Sequence, residues 1–324
     1  MLKSQIAPMA LASPAFEGTS GHAQVETRLN LMVFQGMQNL PLFAAQAKGF
    51  FARRNLVVDV KIAPNSDELR NGLAEGRYQI VHTAVDNGVA MSDMAKVDIA
   101  AVIGGDDSFN HFYVQPDIAS IADLKGKTVI VDALNTAYAF QVYEVMKRNG
   151  LAKGDYGVKP VGATFKRLEA MEQDKEDKAS TLNPPFSIRA DKAGLKDTGS
   201  IVKMIGPYQA TAGMVLRTWA KENEDTLVRY LQAYIEGLRW GLDPANAEET
   251  TTLLADGLKL PPDVAAAGYA IVADPKTGLT KDAAFDIEGF KNVLKLRTDW
   301  TGQPTGPVET YVDLSYYQKA LAGL

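Results

Sequence analysis

Hydrophobic and polar positions follow one another in blocks that predict strands alternating with helices. Residues 29–34 form a short apolar run that ends at Gln35 and Gly36, as expected of a buried strand. A helix with one apolar stripe follows, with Asn39 placed to cap it and Gly49 near its end. Further strands are predicted at residues 56–62, 78–83 and 99–103. This order favours a parallel sheet covered on both faces, with sites at the carboxyl ends of its strands.

A second block of the same kind begins near residue 121. It predicts helices at residues 136–149 and 165–173 and strands at residues 128–131, 179–182, 201–205 and 214–216. After Asn223 the pattern changes to long helices with apolar stripes, which we interpret as packing elements. The 324 residues are therefore expected to form two α/β lobes with a cleft between them.

Charge and hydropathy exclude several classes of partner. The formal net charge is -5, and a protein that binds nucleic acid would need clustered Lys and Arg to displace counterions from phosphates. No nucleic-acid partner is expected. No run approaches the roughly 20 apolar residues that span a bilayer, so we expect the mature chain not to cross a membrane.

Few residues are available for covalent, redox or metal chemistry. The chain has no cysteine, and its three histidines, His22, His82 and His111, lack the i, i+4 spacing of a helical metal pair. No phosphate loop, Gly-x-Ser-x-Gly motif or dinucleotide fingerprint is present. We expect no metal, no cofactor and no enzymatic activity.

The first 24 residues resemble a secretory signal peptide. Lys3 precedes an apolar stretch at residues 6–16, and small residues surround His22 before Gln24. Pro8 and Pro14 interrupt the apolar stretch, so a disordered tail or a misassigned start codon is the alternative. Export to the periplasm is the prediction.

Three motifs in this order resemble the type II periplasmic binding proteins, in the nitrate, sulfonate, taurine and thiamine-precursor class of ABC transporter receptors. They are Leu-Pro-Leu-Phe-Ala-Ala-Gln-Ala-Lys-Gly-Phe-Phe at residues 40–51, Leu-Arg-Asn-Gly-Leu-Ala-Glu-Gly at 69–76 and Asp-Leu-Lys-Gly-Lys-Thr-Val at 123–129. The resemblance covers nearly the whole chain from Leu29. The chain departs from the family at Gln79, where members usually have an acid, and at residues 173–179, which replace a Gly-Glu-Val-Asp-Ala pattern.

The resemblance implies a two-lobed fold in which each lobe is a mostly parallel sheet flanked by helices. Lobe 1 would comprise residues 29–112 and 208–324, and lobe 2 residues 113–207, with hinge crossings near residues 109–114 and 205–210. It implies a periplasmic receptor that captures a small organic molecule between the lobes and delivers it to an ABC transporter permease. We expect a monomer. The alternatives are an enzyme on the same fold, similar to thiamine-pyrimidine synthases, and a ligand-sensing domain.

Candidate ligand-binding residues are polar or aromatic and lie in the loops at the predicted cleft. Helix starts supply free N–H groups there, and Tyr138 in a first helical turn could cover an apolar ligand face. For each polar candidate, the alternative role is a plain helix cap. The candidates other than the acids are Gln38, Asn39, Ser66, Asn87, Asn135, Thr136, Tyr138 and, in a rigid loop before two prolines, Asn183.

Acidic residues complete the candidate site. Asp86 and Asp106, with Asp107 beside the latter, place negative charge on first-lobe loops, and a carboxylate favours a cation or an N–H-rich ligand. No basic residue is predicted at the first-lobe loop tips to balance them, and Arg189 of lobe 2 is the candidate for that role. The sequence thus favours a nitrogen-bearing or heteroaromatic ligand over a simple oxyanion, unless these aspartates point to solvent.

Overall fold

Two five-stranded sheets organise the computed structural model, which describes residues 26–324. The predicted leader, residues 1–24, lies outside the described residues. The strands of the first sheet are β1 (Thr27–Val33), β2 (Leu56–Ile62), β3 (Ile80–Ala84), β4 (Ile99–Asp106) and β10 (Thr211–Leu216). Those of the second are β5 (His111–Val114), β6 (Thr128–Val131), β7 (Gly157–Pro160), β8 (Asp177–Leu182) and β9 (Lys196–Ser200).

The two sheets have the same strand arrangement. Their orders are β2-β1-β3-β10-β4 and β7-β6-β8-β5-β9. In each sheet a single antiparallel strand, β10 or β5, lies between parallel neighbours. That strand is in both cases the one that follows a crossing from the other sheet, so the chain passes between the sheets just before β5 and just before β10.

Helices cover the faces of both sheets. Those of the first two thirds are α1 (Leu40–Ala47), α2 (Ser66–Ala74), α3 (Asp86–Ala95), α4 (Ala137–Arg148), α5 (Thr164–Gln173), α6 (Phe186–Lys192) and α7 (Ile201–Ile205). The remainder are α8 (Arg217–Glu222), α9 (Glu224–Leu242), α10 (Ala247–Leu258), α11 (Pro262–Val272), α12 (Ile287–Thr301) and α13 (Ser315–Ala322).

Apolar burial joins the two sheets on one side. One core cluster contains Val81 of β3, Val129 of β6, Phe140 of α4 and Phe290 of α12, whereas the other two clusters each belong to one sheet. The helix α12 packs directly against α4. The two sheets are therefore held together by a shared core at the side of the crossings, which leaves their opposite edges to form a cleft.

Local signals identify some elements correctly and fail at one crossing. The strand at residues 56–62 and the strand at residues 128–131 are confirmed with their predicted bounds. The strand predicted at residues 201–205 is wrong, because this segment forms α7, which buries Ile201 and Ile205 on one face. Gly206 then adopts a φ of 98°, a left-handed conformation that suits glycine and ends the helix before the second crossing.

Candidate functional site

A cavity of about 270 Å³ lies between the two sheets, at the edges where the carboxyl ends of their parallel strands meet. Its walls combine side chains that follow strands β1, β2 and β3 with side chains that follow β6, β7 and β8. The polar and charged lining residues are Gln35, Gln38, Asn65, Ser66, Asp67, Arg70, His82, Thr83, Asn87, Asp132, Thr136, Thr164, Arg167, Asn183 and Thr211. The aromatic ones are Phe34, Tyr138, Phe165 and Phe186.

Two helices that begin at the cavity have side-chain caps. Asn65 accepts a hydrogen bond from the Glu68 backbone N–H at 2.8 Å and so caps α2. Thr136 accepts one from the Ala139 N–H at 3.3 Å and donates its own hydroxyl to Asp132 Oδ1 at 2.5 Å. Both caps fix loops that line the cavity, so Thr136 is a helix cap and a cavity residue together.

His82 lies at the floor of the cavity as a neutral ring. Its Nε2 is 2.8 Å from the Tyr230 hydroxyl, and its ring stacks on Tyr234 with centroids 4.7 Å apart. Burial lowers the pKa of His82 to about 3, because charging the ring inside the protein costs its solvation. The imidazole can therefore exchange hydrogen bonds with a ligand but presents no positive charge to it at neutral pH.

Arg70 brings a positive charge to the cavity from a helix, where the prediction about loop tips did not look. It lies in α2, lines the cavity, pairs with Asp67 at 2.5 Å and reaches Asn87 Oδ1 at 3.4 Å. Asn87 in turn donates to Thr83 Oγ1 at 2.8 Å. Capping was the alternative role for these polar candidates, but neither Asn87 nor Asp86 makes a side-chain cap bond to α3.

Arg167 supplies a second positive charge, from the other sheet. It is 1 % exposed, and it donates to Ser180 Oγ at 3.1 Å, to the Gly162 carbonyl at 2.7 Å and to the Thr181 carbonyl at 3.0 Å. Its guanidinium lies 5.3 Å from the centre of the Tyr138 ring. Within residues 26–324 no carboxylate lies within 4.0 Å of it. Arg189, the predicted balancing cation, does not line the cavity.

Asp86 belongs to a buried ion pair away from the cavity. Both of its carboxylate oxygens accept from Arg297 Nη1, at 2.9 and 3.0 Å, and both side chains are about 4 % exposed. Burial raises the pKa of Asp86, and the charge of Arg297 opposes that rise. The expectation that Asp86 offers an unbalanced charge to a ligand is therefore wrong, because Arg297 already neutralises it.

Two further predicted residues lie outside the cavity lining. Asn39 is buried and donates to the Phe34 carbonyl at 2.7 Å, and it makes no side-chain cap bond to α1. Asn135 is exposed beside Thr136 and faces no cavity. Of the other predicted residues, those that line the main cavity are Gln38, Ser66, Asn87, Thr136, Tyr138 and Asn183.

A smaller pocket of about 20 Å³ extends the cavity towards the two crossings. Asp106, at the end of β4, lines it and is 2 % exposed. Asp106 Oδ1 accepts from the Ser108 N–H at 2.8 Å, and Oδ2 accepts from the Thr211 hydroxyl. Burial raises the pKa of Asp106 to about 6. Gln38, Tyr138 and Asn183 line this pocket as well.

The main side chains that sequence reasoning missed are charged. Arg70 of α2 and Arg167 of α5 were not among the predicted site residues, although Arg167 shares a buried face with Leu168 and Met171. Asp132 follows β6 directly, so the rule that sites form after strands would have found it. In the part of the chain that the structure describes, no cluster of three or more His, Asp or Glu could hold a metal ion.

No helix among residues 26–324 is long and apolar enough to cross a membrane. A search of curated protein sequences finds no match to the chain. Solved structures do match it, at low sequence identity.

Three of these structures cover nearly all of the chain. A protein of Bordetella bronchiseptica RB50 is 19% identical with a TM-score of 0.77, covering 92% of this chain and 98% of its own. The periplasmic nitrate-binding protein of Synechocystis PCC 6803 is 13% identical with a TM-score of 0.76, covering 93% and 89%. The periplasmic aliphatic sulphonate binding protein of Escherichia coli is 16% identical with a TM-score of 0.67, covering 84% and 90%.

The family model described as NMT1/THI5 like matches residues 37–247. That range includes all three motifs on which the sequence resemblance rests, the last of them at residues 123–129. The chain therefore belongs to the NMT1/THI5-like family and has the fold of the periplasmic binding proteins.

Proposed function

We propose that this protein is a receptor that captures a small organic molecule in the cleft and delivers it to an ABC importer in the membrane. The observation that supports this most is the cavity itself, because its walls come from loops of both sheets. A molecule bound there contacts both lobes at once. The matching receptors for nitrate and sulphonate have the same fold, and the analogy supplies the transporter partner.

The lobe boundaries follow the sheets in this proposal. Residues 29–112 and 208–324 would form lobe 1, and residues 113–207 lobe 2. The strands of the two sheets follow this division except at β5 (His111–Val114), which belongs to the second sheet and spans the first boundary, and at the start of β1, which begins at Thr27. The two crossings, near residues 109–114 and 205–210, would act as hinges on which the lobes close around the ligand. Export to the periplasm and a monomeric state belong to the same proposal.

The lining of the cavity suits binding without reaction. Amides, hydroxyls and aromatic rings make up most of it, as in pockets that orient a ligand with a few placed polar groups. Its histidine stays neutral and is held by Tyr230. Its charges are balanced, with Asp67 and Asp132 against Arg70 and Arg167.

Thermal melting of the full chain against a panel of small molecules tests this proposal. The panel contains nitrate, sulfonates, aromatic acids, pyrimidines, polyamines and amino acids. A ligand at about 1,000 times its dissociation constant should stabilise the protein by roughly 4 kcal/mol, which raises the melting temperature by several degrees. A coherent chemical class of hits, recovered unchanged by mass spectrometry, is the expected result.

A matched pair of variants locates the binding. Ala84 lines both cavities, so Ala84→Phe should fill the site and abolish the shifts. Ala152 is exposed and lines neither, so Ala152→Phe should retain them. Shifts that persist in Ala84→Phe would contradict binding in the cleft, and chemical conversion of a hit would support the enzyme alternative instead.

A further inference from the structure

The small pocket beside Asp106 is lined by residues of both crossings, among them Phe109 and Tyr208. Its volume of about 20 Å³ accommodates one water-sized group, because a cavity needs roughly 10–15 Å³ to hold a water molecule. It lies beside the main cavity and shares part of its lining. The residues that line both are Gln38, Ala84, Tyr138, Asn183 and Thr211.

Asp106 has acceptor capacity that the protein does not use. Each carboxylate oxygen accepts one hydrogen bond, from the Ser108 N–H or the Thr211 hydroxyl, and each can accept a second. No Lys, Arg or His nitrogen of the described chain comes within 4.0 Å of this carboxylate. The neighbouring charge that acts on it, that of Asp107, is also negative. A buried carboxylate without a cation is costly and is stabilised by any cation that reaches it.

Asn183 adds an unpaired amide from the second sheet. It follows β8, is 6 % exposed, and its Oδ1 is a buried acceptor with no hydrogen-bond partner among residues 26–324. Buried polar atoms in native proteins are nearly always paired, so an acceptor left unpaired at a cavity wall is available to a donor that arrives from outside the protein. Asn183 lines the same small pocket as Asp106.

We propose that the ligand carries a primary amine, bound as its ammonium ion in this pocket by Asp106 from the first sheet and Asn183 from the second. An ammonium has the size of a water molecule, donates three hydrogen bonds and accepts none, which matches a pocket of unused acceptors. This inference rests on the proposed receptor function and names the chemical class of its ligand. The amine would also join the two sheets beside the crossings.

Matched pairs of compounds that differ only in an amine and a hydroxyl group test it by isothermal titration calorimetry. The probes are 2-aminoethanesulfonate with 2-hydroxyethanesulfonate, 4-aminobutanoate with 4-hydroxybutanoate, and benzylamine with benzyl alcohol. In the unmodified protein, the amine of the best-binding pair should bind about 10- to 100-fold tighter than its alcohol, the range for a charge-assisted hydrogen bond. Asp106→Asn should reduce that ratio to near one.

Two further variants keep the test decisive. Asp107→Asn removes the neighbouring charge, which is exposed and outside both pockets, and should preserve the ratio. Asn183→Asp adds a second carboxylate to the pocket and should raise the ratio, so the inference stays testable if Asp106→Asn does not fold. Binding of both members with equal affinity, or an amine preference unchanged in Asp106→Asn and Asn183→Asp, would overturn the amine site while leaving the receptor function intact. No binding of any compound, here and in the melting panel, would overturn both.

Discussion

Asp86 and Asp106 are buried carboxylates beside the same sheet that differ in their partners. Asp86 is the first residue of α3 and is held by Arg297 through two hydrogen bonds, whereas Asp106 ends β4 and is held by one backbone N–H and one hydroxyl. The first charge is neutralised by the protein, and the second is not. The comparison teaches that a buried acid indicates a ligand only where its own fold leaves it without a cation.

The largest effect is expected from breaking the paired aspartate. Arg297→Met leaves Asp86 as a buried charge without its partner, and such a loss costs about 3–5 kcal/mol of unfolding free energy. Urea denaturation measures it. Lys295→Met, on an exposed position of the same helix, is the control and should change stability by less than about 0.5 kcal/mol. Equal losses in the two variants would show that the buried pair contributes nothing specific.

Neutralising the unpaired Asp106 should instead increase the free energy of unfolding. The pKa of Asp106 is raised to about 6, so its folded state keeps a proton that the unfolded chain has lost. That contribution to stability is complete below about pH 4 and disappears as pH rises to about 6. Asp106→Asn avoids this loss, so between pH 4 and pH 7 it should gain on the order of 3 kcal/mol relative to the unmodified protein.

Urea denaturation at several pH values measures this gain. The titratable groups around Asp106 are Asp107, Tyr138 and Tyr234, and the tyrosines stay neutral in this range because burial raises their pKa values. Asp274 is the control: the backbone N–H groups of Lys276 and Thr277 lower its pKa, so Asp274→Asn should lose stability relative to the unmodified protein as pH rises. A flat pH profile for Asp106→Asn would contradict the unpaired charge.

The sequence predicts secondary structure well only where the local hydrophobic pattern is distinctive. Strand β6 is an apolar run between Lys127 and Asp132, and β2 is rich in Val and Ile, so local pattern is enough to find both. Strands β7 and β9 are edge strands without a buried residue, and β9 has no apolar side chain at all, so they give little hydrophobic signal. In α7 a five-residue apolar segment fits a strand or a helix equally, and tertiary packing decides.

Site residues were predictable where the chain order alone places them at the cleft. Gln38, Asn87, Thr136 and Asn183 follow strands, and the carboxyl ends of parallel strands meet at one edge. The partner of Asp86 could not be predicted, because Arg297 is 211 residues away along the chain. An electrostatic argument from loop residues alone therefore assigned the same role to two aspartates that the fold treats differently.

An exposed ion pair gives the smallest expected effect and completes the comparison. Lys192 of α6 pairs with Asp263 of α11, so this ion pair connects the two proposed lobes. Its two side chains are 54% and 67% exposed. Solvent and salt screen such pairs, so Lys192→Gln should shift the melting temperature by less than about 2 °C, and 0.5 M salt should remove the difference. Differential scanning calorimetry at low and high salt checks this. If Lys192→Gln lowered the melting temperature as much as Arg297→Met does in the same measurement, exposure would not govern how much these ion pairs contribute to stability. The contrast between Asp86 and Asp106 would then need another cause.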